Sequence, residues 1–291
     1  MKRLLVLYSF IGSSIICVNA QTLYMPREVK DAFKKETRSM DGKPGKNYWQ
    51  NYGRYNITVT ATPPDRNIKG SETIMYVNNS SDTIHNPTIK LFLNIHKPGA
   101  PRNRGARADY LTDGVQMDKV TVNNQPYQWR SNPNTFTFQS MKLPKPLAPH
   151  DSVQLTFDWH YQISLQSNRE GMIDSTTYFL AYFYPRVAVF DDVSGWDRMN
   201  FMDSHEFYSD FNDYTVTVNV PKNYIVWGTG TLNNPERLLQ PDFLKKYNES
   251  KGNKYTYILS YEPGFIYYRD TMYNITADVL KGLNSQYKSK K

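Results

Sequence analysis

One stretch of the sequence decides the fold, and it reads YPRVAVFDDVSGWD over residues 184–197. A run rich in tyrosine and phenylalanine leads into it from residue 178, and Pro185 interrupts that run. A short alternating segment follows, and an acidic turn containing Gly195 closes on Trp196. Proline and glycine at such positions mark the ends of extended segments. The pattern therefore predicts a strand, a corner and a second strand.

Alternation of apolar and polar residues continues on both sides of this stretch. Apolar side chains recur at every second residue over residues 55–61, 153–161 and 214–220, and a further strand is predicted over residues 72–77. A third strand is predicted with Ile89, Leu91, Leu93 and Ile95 on one face. Short strands separated by turn-forming residues are typical of an antiparallel sandwich. We therefore expect a mainly β fold, an antiparallel β-sandwich with little helix.

The remaining secondary structure predicted from the sequence is sparse. Helices are predicted only over residues 27–35 and 236–247, where Pro235 favours a helix start. Two further short strands are predicted over residues 224–228 and 255–261. With 39% hydrophobic residues, including 23 Tyr and 14 Phe, the chain has enough apolar material to bury a core.

Specific sequence segments within these strands resemble a known family. The stretch from Tyr184 to Trp196, with Asp213-Tyr214 and the VWGTG segment at residues 226–230 behind it, resembles the amino-terminal domain of the M1 (gluzincin) zinc aminopeptidases. It looks most like the secreted bacterial members. Residues 55–59 and 70–74 resemble the opening hairpin of that domain. The resemblance covers about residues 48–239.

The resemblance implies a saddle-like β-domain followed by a thermolysin-like catalytic domain that cleaves peptides. That second domain carries a Gly-x-Met-Glu-Asn motif, which binds the substrate amino terminus, and a zinc-binding His-Glu-x-x-His. Neither motif occurs in the 291 residues. We therefore expect no cofactor in this chain, the zinc belonging to complete family members, and no peptidase activity from the chain alone.

Four regions are predicted along the chain. Residues 1–20 have the pattern of a signal peptide, with Lys2 and Arg3 before an apolar run and small residues at Val18 and Ala20. Residues 21–47 form an exposed lead-in, residues 48–240 the M1-type β-domain, and residues 241–291 a helix and strand tail with a truncated end. The protein is therefore expected to be exported, to the periplasm or the exterior. A lipid anchor on Cys17 is disfavoured because Ile16 is not small.

Patterns that bind metals or activate a nucleophile are incomplete in this sequence. No two of the five histidines lie four residues apart, the spacing that lets two imidazoles on a helix bind one zinc ion. His205-Glu206 begins like the zinc motif, but Ser209 stands where the second histidine is required. Composition leaves a Ser/His/Asp site open, although no Gly-x-Ser-x-Gly motif supports one. We therefore predict no metal site in this chain.

The neighbouring acids Asp191 and Asp192 are interpreted as structural. Adjacent residues on a strand point to opposite faces, so these carboxylates are poorly placed to share a proton or flank one substrate bond. Together with Asp197 they could hold a calcium ion, but the spacing does not match a calcium loop. Acids that bond the backbone of a turn are the favoured interpretation.

Four residues are predicted to line a substrate cleft or a domain interface: Tyr182, Tyr184, Arg186 and Trp196. The prediction comes from the resemblance, because the family's loops near this stretch lie against the catalytic domain. Strand alternation also sends part of the aromatic run into the core, which is the favoured alternative for any single ring.

The functional expectation is a non-catalytic amino-terminal domain of an exported M1-type metallopeptidase. Its partner would be a separately encoded catalytic domain, as one half of a split aminopeptidase, or another copy of the chain. The rival hypotheses are a stand-alone module that binds peptides or glycans and, ranked last, a hydrolase without a recognisable motif. Despite the formal charge of +8, export and the lysine-rich tail argue against a nucleic-acid partner. No apolar run after the leader is long enough to span a membrane.

Overall fold

The computed structural model describes residues 24–166, 169–202, 204 and 206–252. The chain divides into two compact units, one reaching Val226 and one beginning at Trp227. The first unit contains all of the strands described below. In the described part of the chain, no helix is both long and apolar enough to cross a membrane.

A six-stranded sheet forms the centre of the first unit. Its strands stand in the order β13-β1-β2-β7-β4-β5. All neighbouring pairs are antiparallel except β1 and β13, which run parallel. The strands are β1 (Tyr52–Thr60), β2 (Asn67–Val77), β4 (Gln116–Val122), β5 (Gln125–Pro126), β7 (Ser152–Gln162) and β13 (Asp213–Asn219).

Three small sheets complete the unit. One has the order β10-β3-β6, and the other two are the hairpins β8–β9 and β11–β12. Their strands are β3 (Thr88–Lys90), β6 (Phe138–Ser140), β8 (Gly171–Asp174), β9 (Thr177–Phe179), β10 (Arg186–Val187), β11 (Phe190–Asp191) and β12 (Gly195–Trp196). The mainly β prediction, with antiparallel sheets and little helix, is therefore confirmed.

The core lies on one face of the six-stranded sheet. Along β7 every second residue from Val153 to Tyr161 is buried, and β1 buries Tyr55, Ile57 and Val59 in the same alternating way. Ile89 of β3 and Val187 of β10 belong to the same apolar cluster. Strand alternation therefore placed the inward-facing positions correctly, because a strand buries only one of its two faces.

The stretch at residues 184–197 forms the predicted strand, corner and second strand. In β10, Val187 pairs with Ile89, and the following hairpin pairs Phe190 with Trp196. The hairpin turn is closed by the carboxylate of Asp191, whose Oδ1 accepts hydrogen bonds from the backbone nitrogens of Val193 and Ser194. Gly195 has φ +67°, a conformation that glycine adopts without strain.

The predicted third strand is wrong beyond Lys90. β3 has only three residues, and a 3₁₀ helix spans Phe92–His96. Leu91 and Leu93 remain in the main core, whereas Phe92 and Ile95 pack into a second, small cluster with Phe201. The tighter turn thus buries both sides of a segment that has apolar residues at nearly every position.

Near the carboxyl end the single predicted helix is two helices, α2 (Pro235–Leu238) and α3 (Pro241–Gly252). Proline disfavours helical geometry at the residue before it, so Pro241 ends one helix and starts another. No strand forms at residues 224–228. The strand predicted at 255–261 lies outside the described residues.

The lead-in contains the predicted helix, α1 (Arg27–Lys34). Most of its residues are exposed, but the turn after the helix reaches the organising stretch. The hydroxyl of Thr37 donates to Asp192 Oδ2 at 2.6 Å, and Arg38 Nη2 lies 2.8 Å from Oδ1 of the same carboxylate. Asp192 therefore anchors the lead-in to the β-domain.

Candidate functional site

Tyr182 lies in a cluster of aromatic rings just before the proline. Its φ is +58°, in the left-handed region, and its ring packs against Phe92, Phe201 and Phe207 at centroid distances of 5.2–5.7 Å. Arg169 Nη1 donates to the Tyr182 hydroxyl at 2.9 Å. The ring is thus part of the packing beneath the surface, with its hydroxyl at the edge.

Arg186 is enclosed by aromatic rings. Its guanidinium carbon lies 5.0–5.1 Å from the ring centroids of Tyr184, Phe92 and Phe207, and Nη1 donates to Ser209 Oγ at 2.6 Å. Nε is buried and has no hydrogen-bond partner, and no carboxylate in the described residues lies within 4.0 Å of the group. Rings offer a cation an attractive face but no neutralising charge.

Glu72 is a second ionisable residue, near Arg186, whose side chain has no hydrogen-bond partner among the described residues. It occupies an inward-facing position of β2, is only 1% exposed, and neither carboxylate oxygen has a partner among the described residues. Burial raises the pKa of Glu72 well above its ordinary value, and the charge of Arg186 opposes this effect. Water stabilises a charged carboxylate far better than a core does, so burial favours the neutral form of Glu72.

Tyr184 joins this site to the edge of the main sheet. Its ring meets Tyr55 and Tyr214 edge-on at 5.9 and 5.8 Å, while Tyr55 and Tyr214 stack on each other at 4.9 Å. The Tyr55 hydroxyl accepts a hydrogen bond from the backbone nitrogen of Val187. Burial raises the pKa of Tyr184 well above its ordinary value.

Three further aromatic side chains, which follow one another closely in the sequence around and after Ser209, are exposed. Phe211 is 82% exposed, Tyr208 50% and Tyr214 42%. We call the set formed by Tyr184, Arg186, Tyr208, Phe211 and Tyr214 the aromatic surface. Sequence analysis missed its last three members. The signal that could have found them is the density of aromatic residues between Phe207 and Tyr214.

Trp196 occupies a different place. Its ring packs against Phe190 at 5.1 Å and Tyr76 at 6.3 Å, and no ring contact in the described part of the chain joins it to Tyr182 or Tyr184. It lines a shallow cavity of 190 Å³ whose other lining residues are Thr83, Ile84, His85, Asn86, Phe190 and Arg198. The structure thus brings Tyr182, Tyr184 and Arg186 together and separates them from Trp196.

The three aspartates of the organising stretch each have a structural role. Asp191 closes the hairpin turn, and Asp192 binds Thr37 and Arg38. The carboxylate of Asp197 lies 2.8 Å from Lys90 Nζ and accepts a hydrogen bond from the backbone nitrogen of Met199. These contacts support the interpretation that all three are structural acids.

The described residues do not fit a zinc ion. They contain no group of three or more His, Cys, Asp or Glu side chains placed to hold a metal. His96 Nδ1 lies 3.0 Å from the carbonyl oxygen of Tyr110, and His160 Nδ1 lies 2.8 Å from Asp118 Oδ1. His205 is not among the described residues. We therefore assign no zinc chemistry to these side chains.

Comparison with known proteins gives distant likenesses only. No family model and no curated protein matches the chain. Among solved structures, the M1 zinc metallopeptidase of Deinococcus radiodurans is 15% identical over 42% of this chain and 22% of its own, with a TM-score of 0.28. A point mutant of that protein matches 66% of this chain and 38% of its own at 15% identity, with a TM-score of 0.37.

A third match is a two-domain M1 zinc metallopeptidase mutant bound to L-tryptophan, 15% identical, with a TM-score of 0.34. It is matched over 66% of this chain and 39% of its own. The chain thus spans well under half the length of the structures it matches. TM-scores below 0.5 do not establish a common fold.

The aromatic surface is suited to binding another molecule rather than to catalysing a reaction. The aromatic surface combines large rings with a guanidinium that has no acidic partner within the described residues. Aromatic and arginine side chains are the usual anchors of protein interfaces, because they bury much area and lose little conformational freedom. The geometry around Tyr184 and Arg186 therefore favours binding of another protein surface.

Proposed function

We propose that this chain is the amino-terminal β-domain of an exported M1-type zinc metallopeptidase, and that it docks against a catalytic domain that cleaves peptides. Its place would be the periplasm or the exterior of the cell. The amino-acid sequence of residues 184–196 supports the M1 family assignment, and the aromatic surface supports docking against a catalytic domain. In this proposal the catalytic zinc belongs to the partner domain, encoded separately or in the same gene.

The observation that carries the docking proposal is the exposure of Phe211, two residues along the chain from Ser209, whose hydroxyl accepts a hydrogen bond from the half-buried Arg186. A phenylalanine side chain that is 82% exposed leaves much apolar area in water. A partner carboxylate that reached the Arg186 guanidinium would neutralise it while the rings shield the pair from solvent. Such a pair and such a ring are typical centres of binding energy.

Binding to an M1 catalytic domain from the same genome tests the proposal. We expect saturable binding in a calorimeter, weakened at least tenfold by Phe211→Ser, because a central apolar anchor typically contributes more than about 1.4 kcal/mol. Ile173→Ser is the matched control, since Ile173 is 63% exposed on β8 and lies outside the aromatic surface. Absence of binding, or equal losses from both variants, would overturn the docking proposal.

A second candidate function is a stand-alone module that binds peptides or glycans. The cavity beside Trp196 favours it, because an indole ring next to the polar side chains of His85, Asn86 and Arg198 can stack on a sugar or an aromatic residue. A ligand that binds only the folded state raises the melting temperature. Screening oligosaccharides and peptides by melting temperature, with Trp196→Ala as the comparison, separates the two candidates.

A further inference from the structure

In the described part of the chain, β13 is the outermost strand of the main six-stranded sheet. It pairs with β1 along its whole length, from Arg54 opposite Asp213 to Thr60 opposite Asn219. No second strand pairs with it in the described part of the chain. Six of its seven residues are exposed, in contrast to β1, where every second residue is buried.

The direction of the free backbone groups follows from one hydrogen bond. The backbone nitrogen of Ala61 donates to the carbonyl oxygen of Asn219 at 3.0 Å, so Asn219 faces β1. In a parallel pair, alternate residues of a strand direct both their N–H and C=O groups to the same neighbour. The backbone groups of Tyr214, Val216 and Val218 therefore point away from the sheet, toward the open edge.

This edge lacks the features that usually prevent pairing with another chain. Exposed edge strands are commonly protected by lysine, proline, a bulge or very short length. β13 has seven residues, an unbroken register and neither lysine nor proline between Asp213 and Asn219. Its side chains alternate strictly, with Tyr214, Val216 and Val218 on one face and threonines on the other.

We propose that β13 pairs antiparallel with β13 of a second copy of this chain, across a two-fold axis at Val216. This register places Tyr214 opposite Val218 of the second copy and Val216 opposite its own counterpart. It satisfies the outward N–H and C=O groups of all three residues in each copy, as an antiparallel ladder requires. The two six-stranded sheets then join into one.

The side chains of β13 fit this register on both faces. On the apolar face it forms tyrosine–valine and valine–valine pairs, which are favourable across strands. On the polar face Thr215 lies opposite Thr217, and Asp213 lies opposite the neutral Asn219. No like charges face each other, so the strand is complementary to itself, and this complementarity identifies the second copy as the occupant of the edge.

Charge reversal at the axis tests the pairing. We expect the full chain to sediment as a dimer, and Val216→Lys and Val216→Glu each to be monomeric, because two like charges would then face each other. Val216 is 44% exposed, so we expect the folded monomer to tolerate both changes. Mixing the two variants should restore a dimer containing one of each. Thr217→Lys, on the opposite face and opposite a threonine, is the matched control and should leave the dimer intact.

A cysteine at the axis provides the second test. In a Cys17→Ser background, which removes the single natural cysteine, Val216→Cys should form an oxidised, cross-linked dimer. Directly opposite residues in such a ladder have Cα atoms about 5.5 Å apart, within the range of a disulfide. Thr217→Cys meets a threonine instead and should remain uncrosslinked. A monomeric parent chain, no mixed dimer from the charge variants, or equal cross-linking at both positions would overturn the proposal.

This pairing shares Tyr214 with the aromatic surface, but it is tested separately from the docking proposed above. It is measured on the chain alone, whereas docking requires a catalytic domain. Loss of binding in the Phe211→Ser experiment therefore leaves the strand pairing standing, and a monomeric chain leaves the docking proposal standing.

Discussion

Lys90 and Asp197 form an ion pair inside the molecule. Their side chains are 3% and 7% exposed, Nζ and Oδ2 are 2.8 Å apart, and Nζ also donates to the carbonyl oxygen of Met199 at 2.8 Å. Burial lowers the pKa of Lys90, and the hydrogen bond to Asp197 opposes that effect. The carboxylate of Asp197 therefore favours the charged form of the buried Lys90 ammonium group.

We expect Asp197→Ala to lower the free energy of unfolding by about 3 to 5 kcal/mol, because it leaves the Lys90 charge buried without a partner. Lys90→Met combined with Asp197→Leu should recover most of the loss. Lys46→Ala, which removes an exposed pair with Glu36, is the control and should cost at most about 1 kcal/mol. Urea denaturation measures all three. Similar losses from the buried and exposed pairs would contradict this account.

Asp210 links stability to pH. Burial, together with the charge of Asp191, raises its pKa from 3.8 to about 7. The folded state then holds a proton that the unfolded state releases, so the contribution to stability is complete below about pH 3.8 and is lost as the pH rises to about 7. Asp210→Asn should therefore make stability less dependent on pH across this interval.

The control for Asp210 is an aspartate shifted in the opposite direction. Hydrogen bonds from Thr176 lower the pKa of Asp174, so its contribution is present at higher pH and is lost only as the pH falls below 3.8. Asp174→Asn should leave the dependence above pH 3.8 unchanged. Urea midpoints measured across the interval decide the matter, and parallel curves for Asp210→Asn and the parent chain would contradict the assignment.

For single residues, the sequence predicts which side chains face inward better than it predicts which distant residues they approach. Alternation along β2 already places Glu72 on the same face as Ile74 and Tyr76, so an acid at an inward-facing position was visible before the fold. Its proximity to Arg186 was not, because the two residues are 114 positions apart and meet only when β10 packs over the sheet. Long-range pairing of this kind depends on topology rather than on local pattern.

Among the strands, β2 and β7 are held together at a position that admits no side chain. Gly70 lies opposite Trp159, and a Cβ there would lie 2.2 Å from Cζ2 of the indole. The indole Nε1 donates to the carbonyl oxygen of Phe183 at 2.9 Å, which fixes the ring against the strand. The close approach thus joins the main sheet to the segment that precedes Arg186.

Gly70→Ala should therefore lower the free energy of unfolding by about 1 to 3 kcal/mol, because the ring must shift to admit a methyl group. Gly105→Ala is the matched control, since a Cβ at that position meets no atom within 4 Å, and it should change stability by less than about 0.5 kcal/mol. Thermal or urea unfolding of the two variants provides the comparison. A Gly70→Ala protein as stable as the parent would show that the indole is not fixed.

Errors in predicting elements have two physical causes. Apolar alternation from Ile89 to Ile95 suits a strand, but Phe92 interrupts it, and a 3₁₀ helix buries both sides. Near the carboxyl end the decisive signal was Pro241, which was visible in the sequence and outweighs the propensity of its neighbours. Periodicity therefore identified the strands with one buried face and failed where a segment is apolar on both sides.

At the scale of the whole molecule, the candidate residues divide between packing and surface. Tyr184 and Trp196 are half-buried among other rings, whereas Phe211 is almost fully exposed. The family resemblance predicts the former pair and not Phe211. Phe211 lies in a loop, and loops over a rigid scaffold commonly carry binding residues.

This division predicts separate effects on stability and on docking. Tyr184→Ala and Trp196→Ala should each lower the free energy of unfolding by about 2 to 3 kcal/mol, below the roughly 3 to 5 kcal/mol typical of fully buried rings. Phe211→Ala should change it by less than about 0.5 kcal/mol and yet weaken binding to an M1 catalytic domain at least tenfold. Denaturation and calorimetry on the same preparations measure both quantities.

Trp196→Ala serves as the control for binding, because the ring lies apart from the aromatic surface and its loss should leave the affinity for the catalytic domain nearly unchanged. Tyr184→Ala should affect both quantities, since its ring packs on Tyr55 in the core and supports Tyr214 and Arg186 at the surface. If affinity instead falls in proportion to stability across all three variants, docking reports only the fraction of folded protein, and the aromatic surface is not the interface.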